Sequence, residues 1–358
     1  MVRFSKITPN GTLTTLQEFD SFTDGSLPLA GLIQAANGNF YGTTPFGGTT
    51  LGINFGTVFT ITPTGTLKTL YSFCFNYPTC NAGTSPQAGL IQGNDGNFYG
   101  TTTRLVTGNY PATIFKITPG GTLDTLYSFC AQQPCADGAW LALANDGNLY
   151  GTTELGGEYG YGTVFKITPT GTFTTLHNFG YTDGAYPIAA LVQATDGNFY
   201  GTTMGGSGTA CGSDGCGTLF RITSSGTLDT LYRFCSQANC ADGLSPSSGL
   251  IQATDGNFYG ATPFGGTEND GTVFELSVGL GPFVKTLPAS GKVRSAVKIL
   301  GTNLTGATNV TFNGVAAAFT IVRPSLITAT VPTGATTGTV QVVTPTGTLS
   351  SNVVFRVR

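Results

Sequence analysis

Residues 31–44 read GLIQAANGNFYGTT, and the reading of that stretch decides the fold. Two short runs, GLIQAA and NFYGTT, flank Asn37-Gly38, a dipeptide that favours a two-residue type I′ turn because both central positions take positive φ. The stretch is a β-hairpin, and it recurs. Its anchor Gly-Asn-Phe-Tyr-Gly begins at Gly38, Gly96, Gly197 and Gly256, and at Gly147 with Leu in place of Phe, a period of 50 to 59 residues. The turn becomes Asp-Gly at Asp95, Asp146, Asp196 and Asp255. A period of this kind marks repeat architectures, in which each unit buries its faces only against its neighbours.

Working outward, each unit parses into four strands: A (residues 31–36), B (39–44), C (57–62, TVFTIT) and D (66–73, TLKTLYSF). Pro63, Pro119 and Pro169 end strand C because proline has no backbone donor for the ladder, and Thr64-Gly65 turns the chain into D. No segment keeps a helical period. Four antiparallel strands in about 50 residues make one propeller blade. Strands A, B and D occur five times but C occurs six, from residues 3–7 to residues 272–276. A ring of five closes if residues 249–276 supply A, B and C of the last blade and residues 12–19 supply its D strand. Residues 3–7 are then the displaced or edge-paired copy, a spare edge open to self-association.

After Leu280-Gly281-Pro282 the repeat phase stops and cysteines disappear. Short alternating runs such as residues 297–304, 310–314, 327–332 and 338–342 predict about seven strands in under 80 residues. The expected fold is therefore all-β: a five-bladed β-propeller of roughly 50–59-residue repeats over residues 1–277, then an immunoglobulin-like β-sandwich over residues 281–358.

Eight cysteines fall into four close pairs: Cys74 with Cys80, Cys130 with Cys135, Cys211 with Cys216, and Cys235 with Cys240. Such pairing reads as disulfides formed in an oxidising compartment. Zinc is the rival reading, but His177 is the single histidine and most pairs lie a repeat apart. No metal or cofactor is expected. Charged residues are 9% of the chain against about 25% in ordinary soluble domains. Lysine and arginine number 15 against 18 acids, without a basic cluster, which argues against a nucleic-acid partner. No apolar run is long enough for a transmembrane segment, and the first residues do not read as a signal peptide. Export and anchor signals are expected outside this sequence.

The blocks ITPxGTLxTLYSF, GLIQATDGNFYGTT and GGTxxxGTVF resemble the GloVer tandem repeats of exported bacterial proteins with varied C-terminal anchors, over residues 1–277. The final segment resembles the IPT/TIG domains, which implies a spacer or interaction module. Together the resemblances imply a cell-surface or extracellular protein, and assign no activity.

The search for chemistry finds no catalytic constellation. His177 stands where the repeats have Tyr71, Tyr127 and Tyr232, so it reads as a structural substitution. The acids outside the repeat pattern, Glu154, Glu158, Asp183, Asp214, Glu268 and Asp270, lie mostly in loops, and none has the apolar setting that tunes a carboxylate for catalysis. The repeated Asp-Gly-Asn lacks the alternating oxygen ligands of a calcium loop. Tyr41, Tyr99, Tyr150, Tyr200 and Tyr259 offer aromatic faces for sugars, but strand alternation sends both Phe40 and Tyr41 between blades, which makes core the better reading. Trp140 is either a contact residue or partly buried, and the glycine-rich loops from B to C are where recognition would sit. The expected function is a non-catalytic extracellular binding, adhesion or structural module, with carbohydrate or another surface protein as partner. The alternatives are a polysaccharide-active enzyme using a carboxylate pair in the ring and a self-assembling fibre subunit.

Overall fold

The computed structural model describes the chain apart from residues 1–2, 21, 36, 49–54, 75–79, 104–109, 130–137 and 208–210. Its regular structure is β-sheet together with short 3-10 turns, antiparallel apart from the short parallel pair of Ser290–Gly291 with Arg356–Val357. Four sheets carry the full A-B-C-D order. The first has Ile33–Gln34, Phe40–Thr44, Thr57–Ile61 and Leu67–Ser72, and the pattern repeats around Phe98–Thr101, Leu149–Thr153 and Phe199–Thr203. A fifth sheet has A, B and C alone: Ile251–Gln252, Phe258–Thr262 and Thr272–Leu276. These are propeller blades, stacked face to face in chain order.

The N-terminal pairing differs from the expectation. Leu13–Glu18 does not complete the sheet that holds Gly256; it pairs with Arg3–Ile7, from Arg3 opposite Glu18 to Ile7 opposite Leu13. Thr272–Leu276 has a ladder with strand B alone among the described residues. Loop closure accounts for the correction. The C-to-D turn closes over a few residues and uses the same threonine device as the interior turns, where Thr8 Oγ accepts from the Thr12 N–H as Thr62 Oγ accepts from Thr66. Pairing across some 250 residues carries a larger entropic cost for the same ladder.

The stacking has one recurrent plan. Strand C points Val58, Ile114, Val164 and Leu219 at the following sheet, and Ile61, Ile117, Ile167 and Ile222 at the preceding one; all eight are buried. The strand-B tyrosine stacks across the same gap: Tyr41 on Phe98 at 4.1 Å between ring centroids, Tyr150 on Phe199 at 4.0 Å, Tyr200 on Phe258 at 4.2 Å. The C-to-D turn glycine seals it. A Cβ on Gly226 would lie 2.5 Å from the Leu176 carbonyl of the preceding strand D, and one on Gly65 would lie 2.6 Å from that of Leu16, so the N-terminal hairpin serves as the neighbour of blade one. At the two ends the plan has no partner among the described residues: Ile7 is 66% exposed and Val273 83%.

The sandwich packs Val284–Leu287, Ala296–Gly301, Leu326–Thr330 and Phe319–Arg323 against a sheet around Asn309–Phe312 and Val340–Thr344. Its core includes Val297, Ile299, Phe312, Ile327, Val342 and Phe355. It docks on the blade ends that carry the A-to-B turns, through the Phe283 N–H to the Thr254 carbonyl at 3.0 Å and Asn145 Nδ2 to the Asn352 carbonyl at 3.2 Å.

Candidate functional site

The opposite ends of the strands carry the B-to-C and D-to-A loops, and the repeat builds these around buried threonines. The last threonine of strand B meets the first of strand C, as in Thr153 with Thr163 and Thr203 with Thr218 at 2.9 and 2.8 Å between hydroxyls. Thr218 Oγ also donates to the Asp183 carbonyl at 3.2 Å, tying down the D-to-A loop. The glycine that follows must lie against the pair, since a Cβ on Gly184 would be 2.6 Å from Thr203 Cγ2. Beyond it the residue before proline adopts positive φ in several blades: Leu27, Ser85, Tyr186 and Ser245. This is an uncommon state for a side-chain-bearing residue, costing of order 1 kcal/mol, and the N–H of Tyr186 compensates by donating to the Tyr161 carbonyl at 2.9 Å. The frame thus presents one variable side chain in each of four blades.

At the junction of blades three and four that variable position belongs to an aromatic and acidic group. Tyr161 lies 5.4 Å from Tyr181 and 6.1 Å from Tyr186 between ring centroids, and Tyr181 Oη donates to the Ser213 carbonyl at 3.0 Å. Tyr159 beside them is 57% exposed. Its phenol is raised above the ordinary tyrosine range chiefly by the Glu158 charge, with Asp183 contributing. Burial and then the charge on Asp214, with smaller effects of the neighbouring tyrosines and Glu154, raise that of Tyr186. Four of the acids outside the repeat pattern, Glu154, Glu158, Asp183 and Asp214, therefore converge on one patch. Glu268 and Asp270 lie exposed on the blade-five loop. Tyr159, Tyr161, Tyr181 and Tyr186 were not singled out in the sequence, although Tyr186, which stands before proline where other blades carry leucine or serine, was a visible signal.

His177 belongs to the frame. Its Nε2 lies 2.7 Å from Asp183 Oδ2, and Asp183 Oδ1 accepts from the Gly180 N–H at 2.8 Å. One blade on, Tyr232 Oη donates to Asp242 Oδ2 at 2.7 Å. The histidine thus reproduces the contact of the tyrosine it replaces. The Asp-Gly-Asn carboxylates are likewise engaged. In each of Asp95, Asp146, Asp196 and Asp255, Oδ1 accepts from the asparagine N–H and Oδ2 from the tyrosine hydroxyl four residues on. Burial works against the charge on Asp95, but hydrogen bonds from Lys116, Asn97 and Tyr99 outweigh it and hold the carboxyl below the usual range. Burial, and then the bond to Asp196, pushes the Tyr200 phenol up to about 12. Tyr41, Tyr99, Tyr150 and Tyr200 are core, and only Tyr259, on the uncovered blade, is partly exposed.

Disulfides join Cys74 to Cys80, Cys211 to Cys216, and Cys235 to Cys240 on this loop face; Cys130 and Cys135 lie outside the described residues. The sulfurs of Cys211, Cys216 and Cys235 gather within 4.8 Å of one another, so two staples of one blade share a corner that their separation in sequence concealed. Trp140 is 40% exposed at the start of strand A, where its ring borders Gly89 of blade two. No helix among the described residues is long and apolar enough to cross a membrane.

No curated protein matches the chain. Among solved structures it is similar to a luciferin-regenerating enzyme (14% identity, 78% of this chain and 85% of that one, TM-score 0.44). It is also similar to a fungal alcohol oxidase in complex with copper (13%, 91% and 74%, 0.44) and an α-L-arabinofuranosidase from Clostridium thermocellum (13%, 71% and 91%, 0.37). Likeness at this level assigns neither ring size nor chemistry. The family models are specific. The IPT/TIG domain model matches residues 283–357, and the repeat model matches residues 4–142 and 133–318, so the chain belongs to the Gloeobacter/Verrucomicrobia repeat family.

Proposed function

We propose that the chain is an exported, non-catalytic binding module whose recognition surface is the tyrosine patch between blades three and four, with neutral saccharide as its ligand class. The observation that carries this reading is the convergence of Tyr159, Tyr161, Tyr181 and Tyr186 with four carboxylates on a rigid loop frame. Tyrosine faces pack against the C–H faces of sugars, carboxylates accept from their hydroxyls, and the acidic field disfavours anionic ligands. Disulfides that persist in oxidising compartments support placement outside the cell. A panel of neutral glycans tests the reading. Tyr159→Ala is expected to weaken the best binder about tenfold, the equivalent of ~1.4 kcal/mol, with the fold intact by circular dichroism. Absence of any neutral binder, or equal binding by the variant, overturns it. Glycan cleavage that Glu158→Gln or Asp183→Asn removes overturns the non-catalytic part.

A second reading, end-to-end association of copies, is favoured by the exposure of Val273 and Ile7, which present the two complementary halves of the interior stacking plan. Sedimentation at high concentration tests it. A larger species in the parent chain that Val273→Arg abolishes supports it, and monomer in both removes it.

A further inference from the structure

At the far ends of the strands, where the sandwich docks on the blades, a cleft of about 540 Å³ opens between the two domains. That volume lies in the range of small-molecule sites. Its propeller wall comes mainly from strand A of blades three and four and the turn after it, and includes Asn145 and Gln193, with Asn94 of blade two at the side; its sandwich wall is Thr337 and the chain from Asn352 through Val353 and Val354 to Arg356. We propose that this cleft binds a uronic acid residue of an acidic glycan, with Arg356 holding the carboxylate.

Three features of the walls specify that chemistry. Arg356 is half-buried, and no carboxylate is salt-bridged to it among the described residues; the lining contains no Asp or Glu. A cation withdrawn from water without a partner is costly, and a planar guanidinium meets a carboxylate with two parallel hydrogen bonds. Burial and the nearby Arg358 charge both lower the Arg356 pKa, in keeping with a cation that lacks its counter-ion. Arg358 itself is turned to Ser290 Oγ. The second feature is Asn352 Oδ1, a buried acceptor with no hydrogen-bond partner. It calls for a donor, and a sugar hydroxyl becomes one when the Asn352 side chain turns its oxygen into the cleft. The third is the pair Val353 and Val354, which stay exposed on the cleft wall, where the C–H face of a sugar ring would cover them.

The propeller wall is already fixed in place. Gln193 Oε1 accepts from the Asn145 N–H at 2.8 Å, Gln193 Nε2 donates to the Gly197 carbonyl at 3.1 Å, and Asn145 Nδ2 reaches across to the Asn352 carbonyl. The polar groups of both domains are thus positioned before a ligand arrives, which keeps the ordering cost of binding low. A sulfate would satisfy Arg356 but has no hydroxyl for Asn352 Oδ1, and neither it nor a phosphate has an apolar face for the valines. A neutral sugar leaves the arginine unpaired. The hydroxylated carboxylate meets all three.

Titration calorimetry of the full chain with a galacturonate trimer and with a neutral galactose trimer tests the site. The acidic trimer is expected to bind at least tenfold more tightly than the neutral one, and Arg356→Gln to remove that preference. Should Arg356→Gln disturb the sandwich by thermal melting, Asn145→Ala on the other wall carries the test, with an expected loss of about fivefold for the acidic trimer. Tyr159→Ala, on the opposite face of the blades, should leave the acidic trimer unaffected, which separates this site from the tyrosine patch. Equal affinity for the two trimers in the Tyr159→Ala chain, no binding of the acidic trimer, or unchanged binding of it in a folded variant of either wall overturns the proposal.

Discussion

Val164 and Val273 hold the same place in the same strand of the same repeat, yet one is wholly buried and the other 83% exposed. Their neighbours in sequence are alike, Thr-Val-Phe in both, and their ladders to strand B have the same register. What differs is the next sheet, and the strand D that pairs with Val164 and is missing beside Val273 among the described residues. Val164 faces Leu191, Phe199 and Phe220 of blade four, whereas no sheet among the described residues covers Val273. Burial in a repeat protein belongs to the pair of adjacent units, so the same residue contributes to stability in one blade and very little in another.

The largest test of that contrast is a charge at both places. Val164→Asp puts an unpaired carboxylate into a closed apolar layer, and we expect a loss of about 4 kcal/mol or more, enough to prevent folding of the neighbouring blades. Val273→Asp should cost less than about 0.5 kcal/mol, as surface changes do. Urea unfolding followed by circular dichroism measures both. A large loss from Val273→Asp would break the contrast, because it would mean that the face is covered in solution.

The strand plan, the A-to-B turns and the sandwich were legible because each is a local signal: alternating apolar runs, Asn-Gly or Asp-Gly at fixed offsets, a composition shift after Pro282. The partner of Leu13–Glu18 was not. Every strand C in the chain is a chemically adequate partner for every strand D, so pattern alone allows pairing with Arg3–Ile7 or with Thr272–Leu276, and chain entropy favours the near one. The tyrosine patch was hidden for a different reason. Tyr159, Tyr161, Tyr181 and Tyr186 come from two loops that converge only once strands C and D have folded between them, whereas four of the five repeated tyrosines that drew attention lie in the core, Tyr99, Tyr150 and Tyr200 bonded to their aspartates and Tyr41 to Asn37. His177 was readable from phase alone, because a residue that replaces a tyrosine in register inherits its partner.

A finer probe of the same contrast uses the C-to-D turn glycines, where backbone strain and crowding separate cleanly. Gly226 and Gly11 both have positive φ, at 100° and 86°, so alanine meets a similar conformational penalty of about 1 kcal/mol at each. The surroundings differ. A Cβ at Gly226 would press on the Leu176 carbonyl at 2.5 Å, a backbone atom that cannot rotate away, whereas nothing lies within 4 Å of one at Gly11. Gly226→Ala should therefore cost about 2 to 3 kcal/mol and Gly11→Ala about 1 kcal/mol, the difference being the blade-to-blade contact alone. Equal losses in urea unfolding would place a neighbour against the N-terminal hairpin in solution and remove the distinction between interior and end faces. An unequal pair localises that distinction to a single turn, because strain is common to both variants and only the preceding strand is not.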